Sequence, residues 1–299
     1  MKQKLKGSLA LLFATLLWGT AFVAQSQGME HIGPFTFQAI RCLMAPIALF
    51  PLIALLERKN LKEFFPKWAD AKLWKRGILC GIALFFATNL QQLGIVSTDA
   101  GKAGFITAMY IILVPIFSIF LGKKPGLRLI VSILLAVVGM YLLCDTNVTS
   151  INKGDILLFG GAVAFAIHIL LVDKTCKDVD GLRLNSVQAL VVGVLSFVIM
   201  LLTETPKLEN IQSCAYSLLH AGVLSMGVAY SLQIVGQKHV ESAAASLIMS
   251  MESVVAVIAG WLILNERLTI LEGMGCLLIL TAVILSQLPS PRKPAEKSC

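Results

Sequence analysis

Charge is what this sequence has least of. Asp, Glu, Lys and Arg make up 14% of 299 residues against 57% hydrophobic ones, with a mean hydropathy of +0.82. Soluble domains carry about 25% charged and about 45–50% apolar residues, so a water-soluble fold of this chain would expose broad apolar surfaces. A bilayer removes the problem, provided every backbone polar group is satisfied internally. Cysteine and histidine are sparse too. Cys42, Cys80, Cys144, Cys176, Cys214, Cys276 and Cys299 stand far apart with no C-x-x-C pair, and His31, His168, His220 and His239 make no H-E-x-x-H. That spacing excludes a disulfide framework and the common zinc patterns, so no metal is expected. The net charge of +8 does not point to nucleic acid, because a nucleic-acid binder gathers its Lys and Arg on one solvated surface, and here they lie in short segments between apolar runs.

Those runs are long. A helix needs about 20 mostly apolar residues to cross a hydrocarbon core of about 30 Å, and ten such spans are expected, at 7–26, 34–56, 74–95, 101–122, 127–145, 154–173, 184–203, 214–236, 242–264 and 269–288. The first follows Lys2, Lys4 and Lys6 like a signal peptide, but its apolar run is too long and no A-x-A site closes it. With the N-terminus inside, 20 of the 25 Lys and Arg residues fall in inner segments, leaving Arg41, Lys102, Lys153, Lys207 and Arg267. Positive segments stay cytoplasmic, so a multi-pass protein of the cell (plasma or inner) membrane with both termini cytoplasmic is expected. The segment from Glu57 to Arg76 holds seven basic residues among Phe64, Phe65 and Trp68, and reads as a solvated anchor in preference to a helix on the anionic leaflet. Residues 289–299 read as a disordered cytoplasmic tail.

The chain also repeats itself. At an offset of 142, Leu90-Gln91-x-x-Gly94 falls on Leu232-Gln233-x-x-Gly236, and Ala103, Ile106 and Met109 fall on Ala245, Ile248 and Met251. Lys6-Gly7 parallels Lys153-Gly154, and Gln38-Ala39 parallels Gln188-Ala189. Five spans per copy is an odd number, so the second copy enters the membrane upside down, the geometry associated with alternating access. The expected fold is therefore an all-α integral membrane protein of ten transmembrane helices in two inverted five-helix repeats, residues 1–146 and 147–288.

Leu17-Trp18-Gly19-Thr20-Ala21-Phe22 and Phe37-Gln38-Ala39-Ile40-Arg41, followed in the second copy by Glu252-Ser253-Val254 and Gly260-Trp261-Leu262-Ile263-Leu264-Asn265-Glu266-Arg267-Leu268-Thr269, carry a resemblance. They resemble the EamA branch of the drug/metabolite transporter superfamily, over nearly the whole chain. Glu252-Ser253 stands where that family often has Glu-Pro, and Gly122-Lys123-Lys124-Pro125 replaces the Gly-Glu turn in the first copy. The resemblance implies a ten-helix transporter of small metabolites or drugs without specifying which.

Ionisable side chains at the bilayer centre are expensive, about 2.5–3.5 kcal/mol on insertion scales. Glu252 lies mid-span on the stripe Ala245, Met249, Glu252, Ala256, Ala259, small enough for close packing or a cavity. It reads as a coupling group, or else as a protonated acid bonded to a neighbouring helix. Tyr110 is its counterpart at the offset of 142 and should face it near the midplane. Arg41 either snorkels to the interface or turns inward toward anionic groups. His168 sits in an apolar run and reads as a buried neutral ring or a pathway residue. Trp18, Gln91 and Gln233, with Asn89, Gln92, Gln188 and Tyr230, supply hydrogen bonds to a polar substrate or between helices.

The function expected from this is a secondary transporter of small metabolites or drugs, by efflux or exchange and alternating access. The rivals are a polytopic membrane enzyme and a channel or scaffold subunit. No G-x-S-x-G or paired intramembrane aspartates are present, so no enzyme activity, catalytic residue or cofactor is expected; no G-x-x-x-x-G-K-[ST] loop supplies ATP-driven transport. The expected partners are a small-molecule substrate and the lipid bilayer, with no nucleic acid; a homodimer is compatible with the sequence.

Overall fold

Long apolar runs in a bilayer become helices because only a helix closes all its own backbone hydrogen bonds. The computed structural model describes residues 2–58, 61–98, 100–123, 125–143, 152–263 and 269–288, and every regular element among them is helical. The first six are α1 (Lys2–Met29), α2 (Pro34–Leu56), α3 (Leu61–Trp68), α4 (Ala71–Ile95), α5 (Ala100–Thr107) and α6 (Tyr110–Phe120). They are followed by α7 (Leu127–Leu143), α8 (Lys153–Thr175), α9 (Gly181–Thr203), α10 (Leu208–Ser213) and α11 (Ala215–Leu219). A π-helix (His220–Ala229) then runs into α12 (Tyr230–Gln237), before α13 (Ser242–Met249), α14 (Met251–Ile263) and α15 (Ile270–Gln287). Among the described residues nine segments are long and apolar enough to cross a membrane, and α7 is a tenth, shorter apolar helix of 17 residues. The expected boundary at 146/147, the turn at 264–268 and the tail at 289–299 lie outside the described residues.

Side-chain caps set several helix starts. Asn152 with Asp155 and Thr269 with Glu272 form capping boxes on α8 and α15. Pro34 opens α2, where its missing N–H is no loss. The carboxylate of Glu204, far along the chain, accepts from the backbone N–H of Phe35 and Thr36 at 3.0 and 2.8 Å.

Two expectations change. α1 is longer than 7–26, because the helix continues through the basic start to Lys2 and on to Met29. The spans at 101–122 and 242–264 are broken, each into two short helices. The segment after Glu57 carries a short helix packed through Phe64, while Arg58, Lys62, Lys67, Lys72 and Lys75 stay exposed as expected of a solvated basic segment. On α3, Phe64 is 3% exposed and meets Phe50 edge-on at 5.4 Å, while the Arg183 guanidinium lies 5.4 Å from the Phe64 and Trp68 ring centres. Arg183 also grips Glu57 with two nitrogens at 3.0 and 2.7 Å. That fork, first of all, draws the Glu57 carboxyl down from its ordinary value to about 2.

Helices of one half pack on those of the other: α2 on α9, α4 on α8, α7 on α15, and α1 on α12 and α14. Close approach needs glycine at the crossings. A Cβ at Gly7 would lie 2.9 Å from the Gly236 carbonyl oxygen, and one at Gly154 would lie 2.9 Å from that of Gly94. The two crossings join the same repeated positions in exchanged order, one at the end where α1 begins and one at the end where α8 begins. Large apolar side chains such as Phe13, Ile47, Phe120, Leu134 and Leu202 stay exposed around the outside, as a lipid-facing surface requires.

Candidate functional site: a polar cavity where two helices break

Between α5 and α6 the helical ladder tightens to i→i+3 bonds, from Met109 N–H to Ile106 O at 3.1 Å and from Ile111 N–H to Ala108 O at 3.0 Å. Between α13 and α14 the same happens at Ser250, whose carbonyl accepts from Ser253 N–H at 3.1 Å. Such 3₁₀ interruptions free backbone groups and redirect side chains. Each break is followed at once by a functional candidate, and the two meet: the Tyr110 hydroxyl donates to Glu252 Oε1 at 2.7 Å, with both residues buried.

Beside this pair lies a cavity of about 40 Å³, room for roughly three waters at about 10–15 Å³ each. A larger guest requires the side chains to move. The polar lining is Trp18, Gln25, Arg41, Gln91, Thr107, Tyr110, Ser225, Tyr230, Gln233 and Glu252, and the apolar wall is Phe22, Phe165, Ile169 and Met249. Of the eleven residues named from the sequence, seven therefore share one cavity, and Asn89, Gln92, Gln188 and His168 lie outside its lining. His168 is fully buried, its ring bonded to Gln188 Oε1 at 3.0 Å and edge-on to Tyr230 with centroids 6.1 Å apart. It supports Tyr230 from behind and is outside the lining.

Arg41 does not snorkel. It is 3% exposed, and Nε and Nη1 donate to Gln38 Oε1 and Gln25 Oε1, both at 2.7 Å. Two amide oxygens replace the water that a snorkelling head would seek. Gln25 was not among the sequence candidates, although it stands seven residues after Trp18 and so on the same face of α1. Gln91 donates to Thr107 at 3.4 Å, and Gln233 donates to Gln237 at 3.0 Å. The indole N–H of Trp18 and the amide oxygen of Gln233 have no partner among the described residues. Asn89 on α4 bonds Ser196 on α9, and Gln188 on α9 bonds His168 on α8 as well as Asn185 in its own helix, so both amides join neighbouring helices. Among the described residues no group of three His, Cys, Asp or Glu could hold a metal ion.

Both ends of the broken helix α5–α6 are tied to α8. Lys102 pairs with Asp155 at 2.7 Å, side chains 17% and 7% exposed. Lys123, past the other end, pairs with Asp173, which also accepts from Ser242 at the start of α13 at 2.8 Å. Hydropathy and charge counting treated these lysines as topology markers, and no pattern in the sequence linked them to their aspartates.

The model of the EamA-like transporter family matches this chain twice, over residues 5–144 and 152–288. The chain belongs to the EamA-like transporter family. It is 30% identical to an uncharacterized transporter of Archaeoglobus fulgidus over 96% of this chain and 87% of that protein. It is 23% identical to the uncharacterized transporter YoaV of Bacillus subtilis, covering 96% and 99%. The WAT1-related protein At3g02690, chloroplastic, of Arabidopsis thaliana is 24% identical over 93% of this chain and 69% of its own length. A crystal structure of a protein 17% identical in sequence aligns with a TM-score of 0.77 over 94% of this chain and 96% of the other, which shows the shared fold. In this EamA-like transporter the double match falls on the two halves whose helices exchange partners, and the cavity lies where the broken helix of each half ends its first segment. It is a multi-pass membrane protein and a membrane transporter.

Proposed function

We propose that this protein is a secondary carrier that moves a small metabolite or drug by alternating access through the central cavity, outward or in exchange. The observation that carries the reading is the meeting of two broken helices, one from each half, at a buried Tyr110–Glu252 contact beside a polar cavity. Broken helices whose ends face a midplane site are how transporters present polar groups inside a bilayer. The exchanged glycine crossings at opposite ends support the two halves, 1–146 and 147–288, as inverted repeats. The distribution of 20 of 25 basic residues supports cytoplasmic termini in a plasma or inner membrane.

Glu252 is the titratable centre of this cycle. When the cavity opens to one side and then the other, water reaches the carboxyl differently in the two states, and proton occupancy becomes linked to conformation. The test is counterflow in proteoliposomes over a panel of amino acids, purines, sugars and cationic drugs. A carrier exchanges labelled for unlabelled solute, and a pore or scaffold does not. Glu252→Gln should fold and bind while losing the pH dependence of flux; an unchanged pH profile would make this carboxyl structural.

A further inference from the structure

Among the described residues two arginines are buried, and they are provided for differently. Arg183 is 1% exposed and has the Glu57 carboxylate on two nitrogens, with Asp180 at 3.7 Å. Arg41 is 3% exposed, yet its two side-chain bonds go to neutral amides, and among the described residues it forms no ion pair with a carboxylate. An unpaired buried cation is penalised by several kcal/mol in effective desolvation, so a resident one without counter-charge is rare. The two bonds use two of the five N–H groups that a guanidinium carries. Arg41 lines the cavity, and so does the unpartnered indole N–H of Trp18.

We infer that Arg41, backed by Gln25 and Gln38, is the subsite for the carboxylate of a small organic monoacid, with Trp18 as a second donor. The inference rests on the carrier reading for its role in transport. The counter-charge missing from the protein arrives with the substrate. A single cation, in a cavity that also holds the Glu252 carboxyl, fits one negative charge better than two. Phe22, Phe165 and Met249 offer an apolar wall for the body of the acid, and the free oxygen of Gln233 takes a hydroxyl or amine on it. Gln25 and Gln38 fix the fork in direction, as pre-organised recognition of a carboxylate requires.

The experiment uses the purified full-length chain. Thermal shift in detergent compares lactate and phenylacetate with their neutral amides, with phenethylamine and with the dianion succinate, and counterflow of labelled lactate is followed in proteoliposomes at pH 8. The monoacids should raise Tm and exchange, the other probes should not, and Arg41→Lys should weaken the acid response at least tenfold. Gln38→Glu guards against simple misfolding: it gives Arg41 a resident carboxylate, so the protein should be at least as stable while losing its response to acids. The inference falls if acids, amides and amines shift Tm alike, if no monoacid shifts it, or if Gln38→Glu still responds. Exchange of phenethylamine alone would sink the inference and leave the carrier standing. Arg41-dependent acid binding without exchange would keep the site and sink the carrier.

Discussion

The two broken helices do the same geometric job and are fastened in different ways. α5–α6 is tied to α8 by an ion pair at each end, Lys102 with Asp155 and Lys123 with Asp173. α13–α14 lies against α1 with no ion pair among the described residues, along a seam where Gly19 meets Val255 and the backbone of Glu252. Ion pairs hold a position and must be broken to move. A seam of small residues carries no directional bond and can slide while its area stays buried. The comparison assigns rigidity to the first contact and mobility to the second, although both descend from one pattern of repeated sequence.

The comparison breaks most visibly at Asp155, whose removal takes away the carboxylate on Lys102 and half of a capping box. Removing one partner of a buried pair destabilises by about 3–5 kcal/mol, and Lys102 keeps some access to solvent. Asp155→Ala should therefore lose about 3 kcal/mol, read by chemical unfolding in detergent, and a double-mutant cycle with Lys102→Met should give a coupling of about 1 kcal/mol or more. Additive effects would mean that the pair is no fastening.

Next in size is the seam. A Cβ at Gly19 would stand 2.5 Å from Val255 Cβ and 2.8 Å from the Glu252 carbonyl oxygen, while one at Gly104 on α5 meets nothing within 4 Å. Gly19→Ala should lose about 1–3 kcal/mol by overpacking and slow counterflow, whereas Gly104→Ala should be neutral or gain up to about 1 kcal/mol from helix propensity. Equal effects at the two glycines would erase the distinction between seam and tie.

The smallest effect calibrates what an ionic tie looks like against pH. Glu57, just past α2, is held down to about 2 from an ordinary 4.5, chiefly by Arg183. A depressed carboxyl stabilises fully above its unfolded value, so this contribution is intact above about pH 4.5 and disappears as pH falls toward 2. The thermal midpoint should fall across that window in the wild type, and Arg183→Met should flatten the fall. A variant with the same acid limb would place the loss elsewhere.

Ten membrane segments, the repeat and the Tyr110–Glu252 meeting were legible in the sequence, because hydropathy reports burial in lipid and an offset of 142 reports equivalent positions. The breaks were not. Ala108, Met109 and Ser250 include neither proline nor glycine, so the tightened turns carry no local signature. The inward turn of Arg41 depends on Gln25, sixteen residues back on another helix, and single-span reasoning does not see across helices. The packing of Phe64 was hidden for the same reason, since the Arg183 guanidinium that covers it comes from far along the chain.

The exchanged glycine crossings also govern the order in which the chain can be made. Gly7 and its partner Gly236 are separated by about 230 residues, so at roughly 5–20 residues per second α1 waits on the order of 10–45 s for the helix it packs against. Through that interval the first half sits in lipid with its own first helix unclaimed. The nascent half-protein is thus an assembly intermediate by construction, and its completion is timed by the ribosome.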